Sequence, residues 1–269
     1  MPVLRLDDAD IHYDVQGEGA ALLFCSATAT HGDVWKFHQV PRFSRDHRVI
    51  IYDQRGTGDS VARSNDFSTR RLAADAAALL DHVDAGPAIV CGHSNGGRVA
   101  QMLTLDHPRQ VAKLVLMSSG GASDGKGIPL SLCLELVEKG FDRHMREQCV
   151  ENGFTKEWAA ENAAELERYL AVRLAKPPSL EVFLRHVIAR EDYNPAGRLK
   201  EISVPTLVMV GSDEDHGAPG RMTHFKYAHA LAREIPGAKL SILPRQGHYY
   251  YFSNPIDTNG VISEFIAAT

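Results

Sequence analysis

Gly92-His93-Ser94-Asn95-Gly96-Gly97 places a serine with glycine two residues before it and two after it. The run follows the apolar stretch Ala88 to Cys91 and leads into a helical period through Val99, Met102 and Leu103. A serine on a sharp strand-to-helix turn sits in a strained backbone conformation, and its flanking residues come so close that glycine is preferred there. The helix behind it aims free N–H groups and the positive end of its dipole at the site, which suits an oxyanion formed during acyl transfer. The spacing predicts nucleophilic chemistry at Ser94. Without chemistry, the same residues read as a glycine-rich turn.

A serine hydroxyl needs a base, and the base needs an orienting acid. Arg245-Gln246-Gly247-His248 lies just past the last apolar run, Lys239 to Leu243, where a loop can carry an imidazole over the end of a sheet. His248 is therefore the predicted base. His93 adjoins Ser94 and is expected to point away from its hydroxyl. For the acid, Gly211-Ser212-Asp213-Glu214-Asp215-His216-Gly217-Ala218-Pro219 follows the run Thr206 to Val210 and supplies three carboxylates. The 13 histidines show no ligand spacing on one helix face, so no metal site is expected. No cofactor is implied.

These groups must be positioned by the elements around them. Val3 to Leu6 and Ile11 to Val15 alternate and read as an antiparallel hairpin. Continuous apolar runs at Ala21 to Phe24, Arg48 to Tyr52, Ala88 to Cys91, Val111 to Met117, Thr206 to Val210 and Lys239 to Leu243 read as strands buried on both faces. Helical periods lie between them. Leu72, Ala76, Leu79, Leu80 and Val83 share one face, with Ser68 or Thr69 as N-cap and Gly86 as the stop. Met222, Phe225, His229, Ala232 and Ile235 repeat the pattern and close at Pro236-Gly237. The expected fold is α/β, a mostly parallel eight-stranded sheet with helices on both faces. Residues 123–199 lack a strand-like run and read as an inserted helical cap, broken at Pro177-Pro178, leaving residues 1–122 and 200–269 as the core.

Composition excludes several function classes. A chain of 269 residues with a net charge of −5 and no Lys/Arg block is a poor partner for nucleic acid or an anionic membrane. No run approaches a spanning helix, and acids at Asp7 and Asp8 interrupt the stretch where a signal peptide needs continuous apolar residues. A cytoplasmic protein acting on a small molecule is expected. Cys25, Cys91, Cys133 and Cys149 then read as reduced, buried small hydrophobes.

The chain resembles the α/β-hydrolase superfamily over essentially its whole length. The resemblance rests on the hairpin, Tyr52-Asp53-Gln54-Arg55-Gly56-Thr57-Gly58-Asp59-Ser60 after the second sheet strand, the turn at Ser94, the acidic turn, and Gly247-His248, in the order serine, acid, histidine. The Asp53 to Ser60 stretch reads as structural. In the superfamily the acid usually stands three residues after the strand-ending glycine and four before a proline. Gly211 then points to Glu214, and Pro219 to Asp215. Asp215 is preferred, because His216-Gly217-Ala218-Pro219 matches the following turn and aspartate is the commoner orienter. Glu214 is second, Asp213 third, and Asp124 an alternative after the preceding strand. Counting back from Trp35 sets Ser26-Ala27 at the position where many relatives carry His-Gly, so the resemblance implies an oxyanion hole from the N–H groups of Thr28 and Asn95.

The resemblance implies hydrolysis through an acyl-enzyme, with a small apolar or aromatic ester or lactone as substrate, as in groups like the 3-oxoadipate enol-lactonases. Serine at the turn argues against haloalkane dehalogenases and epoxide hydrolases, which need a carboxylate there. Carbon–carbon bond hydrolysis of ring-cleavage products uses the same triad and stays open. So does a hydrolase-like ligand receptor resembling the plant karrikin and strigolactone sensors.

Overall fold

The central apolar runs form strands because they bury side chains on both faces. The computed structural model describes residues 2–122, 128, 130–195, 197–214 and 224–268. Its strands are β1 (Val3–Arg5), β2 (Ala9–Gln16), β3 (Ala20–Cys25), β4 (His47–Tyr52), β5 (Val61–Ala62), β6 (Ala88–His93), β7 (Val111–Met117), β8 (Thr206–Gly211) and β9 (Lys239–Leu243). They make one sheet in the order β1-β2-β4-β3-β6-β7-β8-β9, with β5 paired to β2. All pairings of β2 are antiparallel, and those from β4 through β9 are parallel. Leu23, Val90, Leu116 and Val208 enter one core, while their neighbours Phe24, Cys91, Met117 and Met209 enter the other. Strand period two with both faces covered gives an unbroken apolar run.

All eight anticipated strands are present. The ninth, β5, has two residues and is too short to show a period. β9 departs from its expected double burial. It closes the sheet, so only Leu243 is buried and Ile242 is exposed.

The helices before the insertion are α1 (Gln39–Phe43), α2 (Thr69–His82) and α3 (Asn95–Asp106). Ser68 Oγ accepts the Arg71 N–H at 3.2 Å and caps α2. The stop precedes Gly86, because Asp84 takes φ 50° directly after the Val83 C-cap; a short polar side chain tolerates that conformation. Between β7 and β8 come α4 (Leu130–Lys139), α5 (Phe141–Gly153), α6 (Lys156–Glu161), α7 (Ala163–Arg173) and α8 (Leu180–Glu191), with no strand among the described residues. Cys149 and Phe154, from α5 and its end, and Leu166, Tyr169 and Leu170 from α7 pack into the same core as Phe24, Trp35 and Tyr250. After β8 follow α9 (His224–Glu234), α10 (Tyr250–Ser253) and α11 (Pro255–Ala267). Gly237 at φ 69° follows α9, and Met222 lies outside the described residues.

All four cysteines are unpaired, and Cys25, Cys91 and Cys149 are buried as expected. Cys133 is exposed, because α4 buries none of its residues. No helix among the described residues is long and apolar enough to cross a membrane.

Candidate active site

The strand order selects the location. β3 lies between β4 and β6, and the chain leaves β3 toward β4 but leaves β6 toward β7. Connections that diverge above neighbouring carboxyl ends open a crevice at a topological switch point. The loop leaving β3 and the turn leaving β6 meet there. A Cβ on Gly96 would stand 2.2 Å from the Cys25 carbonyl oxygen, and one on Gly92 would stand 2.3 Å from the Gly96 carbonyl oxygen. Only glycine fits at either place. Between them Ser94 adopts φ 55°, ψ −118°, an uncommon conformation for a residue with a Cβ. Its N–H donates to the Met117 carbonyl at 2.8 Å, and its carbonyl accepts the Gly97 N–H at 3.0 Å. Although Ser94 is the N-cap of α3, its hydroxyl makes no capping hydrogen bond.

His248 follows β9 and reaches the turn after β8. Its Nδ1 donates to Glu214 Oε2 at 3.1 Å. A carboxylate can only accept here, so the neutral ring carries its proton on Nδ1 and keeps a lone pair on Nε2. The Glu214 side chain is fully buried. Its other oxygen, Oε1, accepts the Gly211 N–H at 2.8 Å and the hydroxyl of Ser118. Ser118 follows β7 at φ 47°, so the exits of three successive strands of the sheet, β7, β8 and β9, meet at the Glu214–His248 contact.

His93 has a role that adjacency to Ser94 concealed. It is buried, and its Nε2 donates to the His248 main-chain carbonyl at 2.9 Å, with ring centroids 4.5 Å apart. Burial first, and then the nearby His248, hold its pKa well below the ordinary histidine value, so the ring is a fixed neutral donor. On the other side, the Tyr249 N–H donates to the Gly153 carbonyl at the end of α5, at 2.8 Å. The backbone at His248 and Tyr249 is thus held by the turn that carries Ser94 and by the end of α5. The third ring near His248 is His224, at a centroid distance of 4.4 Å.

Among the other acids named from the sequence, Asp215 and Asp124 lie outside the described residues. Asp213 accepts the Ser212 hydroxyl at 2.6 Å. The carboxylate joined to His248 among the described residues is Glu214. Thr28 belongs to a turn closed by the Thr30 N–H on the Ala27 carbonyl at 3.1 Å, with Ala29 at φ 49°. Asn95 is the first residue of α3, where an N–H has no preceding helical turn to accept it.

The Asp53 to Ser60 turn is structural, as anticipated, and its contacts define what it holds. Asp53 accepts the Gly32 N–H at 2.7 Å and the Asp59 N–H at 2.8 Å, while Gln54 Nε2 donates to the Ser26 carbonyl at 2.7 Å. Both ends of the loop after β3 are pinned this way. Arg55 is buried and pairs with Asp75 at 2.6 Å and Asp8 at 3.1 Å.

Known proteins share the family and the fold. A family model described as alpha/beta hydrolase fold matches residues 20–255. A protein of Azorhizobium caulinodans named for carbamate hydrolysis, RutD, is 28% identical, with 98% of each chain covered. Among solved structures, Est816, described as an N-acyl homoserine lactone degrading enzyme, is 28% identical, with 98% of this chain and all of that one covered and a TM-score of 0.81. The enol-lactonase of Burkholderia xenovorans LB400 shares the fold at a TM-score of 0.85 and 20% identity, covering 98% of this chain and 99% of its own.

Proposed function

The chain belongs to the α/β-hydrolase fold family, and from that premise we propose that it is a serine hydrolase cleaving a small apolar or aromatic ester or lactone through Ser94, His248 and Glu214. The observation that carries the reading is the Nδ1 hydrogen bond from His248 to buried Glu214, which leaves Nε2 free to accept a proton. In this mechanism His248 Nε2 takes the Ser94 proton, and the alkoxide attacks the substrate carbonyl. The N–H groups of Thr28 and Asn95 hold the oxyanion, and Glu214 stabilises the imidazolium. His248 then protonates the leaving alcohol. Water, deprotonated by the same ring, releases the acid and restores Ser94.

Glu214 replaces the preferred Asp215 in this assignment because its carboxylate makes the contact to the base. The relation to Est816 supports a lactone or ester substrate, and the relation to RutD adds carbamates, whose carbonyl undergoes the same attack. The helices of residues 123–199 serve as the cap over the site, and the protein works on small molecules in the cytoplasm. A screen of the purified protein against p-nitrophenyl esters, acyl lactones and carbamates tests this. Multiple turnovers with labelling of Ser94 by a fluorophosphonate support the proposal; a single turnover leaving a persistent adduct would instead identify a receptor.

A further inference from the structure

Glu214 faces two histidines, and a triad uses only one. Glu214 Oε2 lies 3.1 Å from His248 Nδ1 and 3.7 Å from His224 Nδ1, and one ligand atom from each of the three residues falls within 4.8 Å of the others. A tetrahedral zinc ion with bonds of about 2.0–2.1 Å holds its ligand atoms about 3.3–3.5 Å apart. Two of the separations bracket that range before any side chain moves. From these distances we propose that Glu214, His224 and His248 form an inhibitory Zn2+ site. The inference rests on the triad proposed above, since the same atoms serve both.

The carboxylate is prepared for one-oxygen coordination. Oε1 is already held by Gly211 and Ser118, which fixes Oε2 toward the two rings as outer partners fix metal ligands. Entry is open from the His224 side, whose side chain is 38% exposed, against 12% for His248 and none for Glu214. Two imidazoles and one carboxylate with a remaining open position suit Zn2+ better than Mg2+ or Ca2+, which prefer oxygen ligands. The consequence for catalysis is a change of tautomer. With zinc on the Nδ1 lone pair, the proton of the neutral ring sits on Nε2, and the atom that must accept the Ser94 proton becomes a donor. Glu214 is taken from the imidazole at the same time. Arg98 and Arg190 place positive charge near His224, which opposes a dication and makes the ion exchangeable.

The three ligands stand on a strand exit, a helix start and a loop, and their spacing in the chain matches no ligand pattern on one helix face.

The test uses p-nitrophenyl acetate hydrolysis by the full chain in a non-chelating buffer with micromolar ZnCl2. The rate is expected to fall about ten-fold or more and to return with EDTA. His224→Gln should keep the basal rate and raise the half-inhibiting zinc concentration about 10–100-fold. Zinc sensitivity equal to that of the parent chain in this variant and in His224→Asn would overturn the site. Independently of turnover, Ser94→Ala should bind one Co2+ with the intense visible bands of a four-coordinate ion. Ser94→Ala combined with His224→Gln should not; a weak six-coordinate spectrum in Ser94→Ala alone would also overturn the proposal. Full hydrolysis by Ser94→Ala would defeat the triad, while the cobalt spectrum of the same variant supports or overturns the metal site on its own.

Discussion

Two glycine-rich turns leave strands of the same sheet, one after β4 and one after β6, and they use their polar side chains in opposite ways. In the first, Asp53 spends its carboxylate on the N–H groups of Gly32 and Asp59, and the Ser60 hydroxyl donates to the Asp53 carbonyl at 2.8 Å. Gly58 is required there because a Cβ would stand 2.1 Å from Asp53 Oδ2. In the second, glycines again permit the close approach, but the Ser94 hydroxyl does not cap its helix. Composition alone does not separate the two turns. What separates them is whether the side-chain oxygen is committed to the backbone around it.

That contrast breaks first at Ser94. On the proposed mechanism, Ser94→Ala should lower the hydrolytic rate at least about 10⁴-fold, because members of a triad act as a unit, while leaving the urea midpoint close to that of the parent chain. Glu214→Gln should cost about 10³–10⁴-fold in kcat with KM little changed, since it loses the charge that orients and stabilises the ring. An Asp215→Asn variant with full activity sharpens the assignment, and loss of activity there with retention in Glu214→Gln reverses it.

The first turn should answer in stability. Asp53→Ala leaves the buried Gly32 N–H without an acceptor, at about 1–3 kcal/mol, and also loses the hydrogen bond to the more exposed Asp59 N–H. Its urea midpoint should fall, while the rate per folded molecule falls far less than for Ser94→Ala. The smallest effect concerns the ion pairs beside that turn. Hydrogen bonding to Arg55 lowers the Asp8 pKa from 3.8 to about 2, whereas burial pushes the neighbouring Asp75 up despite its pairing with Arg55. A depressed carboxyl stabilises the fold above its ordinary value and loses that contribution as pH falls toward about 2. Asp8→Asn should remove about 1–2 kcal/mol at neutral pH, and its melting temperature should fall less steeply than that of the parent chain between pH 4 and pH 2.

Sequence reading found the strands because a strand covered on both faces leaves an unbroken apolar signal, and it found the turn at Ser94 because close approach dictates glycine at fixed offsets. It anticipated β9 as buried because an apolar run does not say which strand lies at an edge. It preferred Asp215 to Glu214 and Asp213 on the pattern of the following turn, but neighbours in one turn differ in where their side chains point, which no such pattern records. His93 and Ser118 were illegible as positioning residues for another reason. Their partners, the His248 carbonyl and Glu214, are distant in the chain, and neither interaction leaves a periodic trace.

The hydrogen bond from the Tyr249 N–H to the Gly153 carbonyl joins the residue after the base to the end of α5, and Phe154 packs edge-on against Tyr249 at 5.5 Å. The inserted helices are therefore poor modules for exchange. A chimera that imports another protein's insertion to gain a new substrate would also cut a tether of the loop that carries His248. Recombination should succeed more readily at α4, none of whose residues is fully buried, and fail where the graft crosses α5.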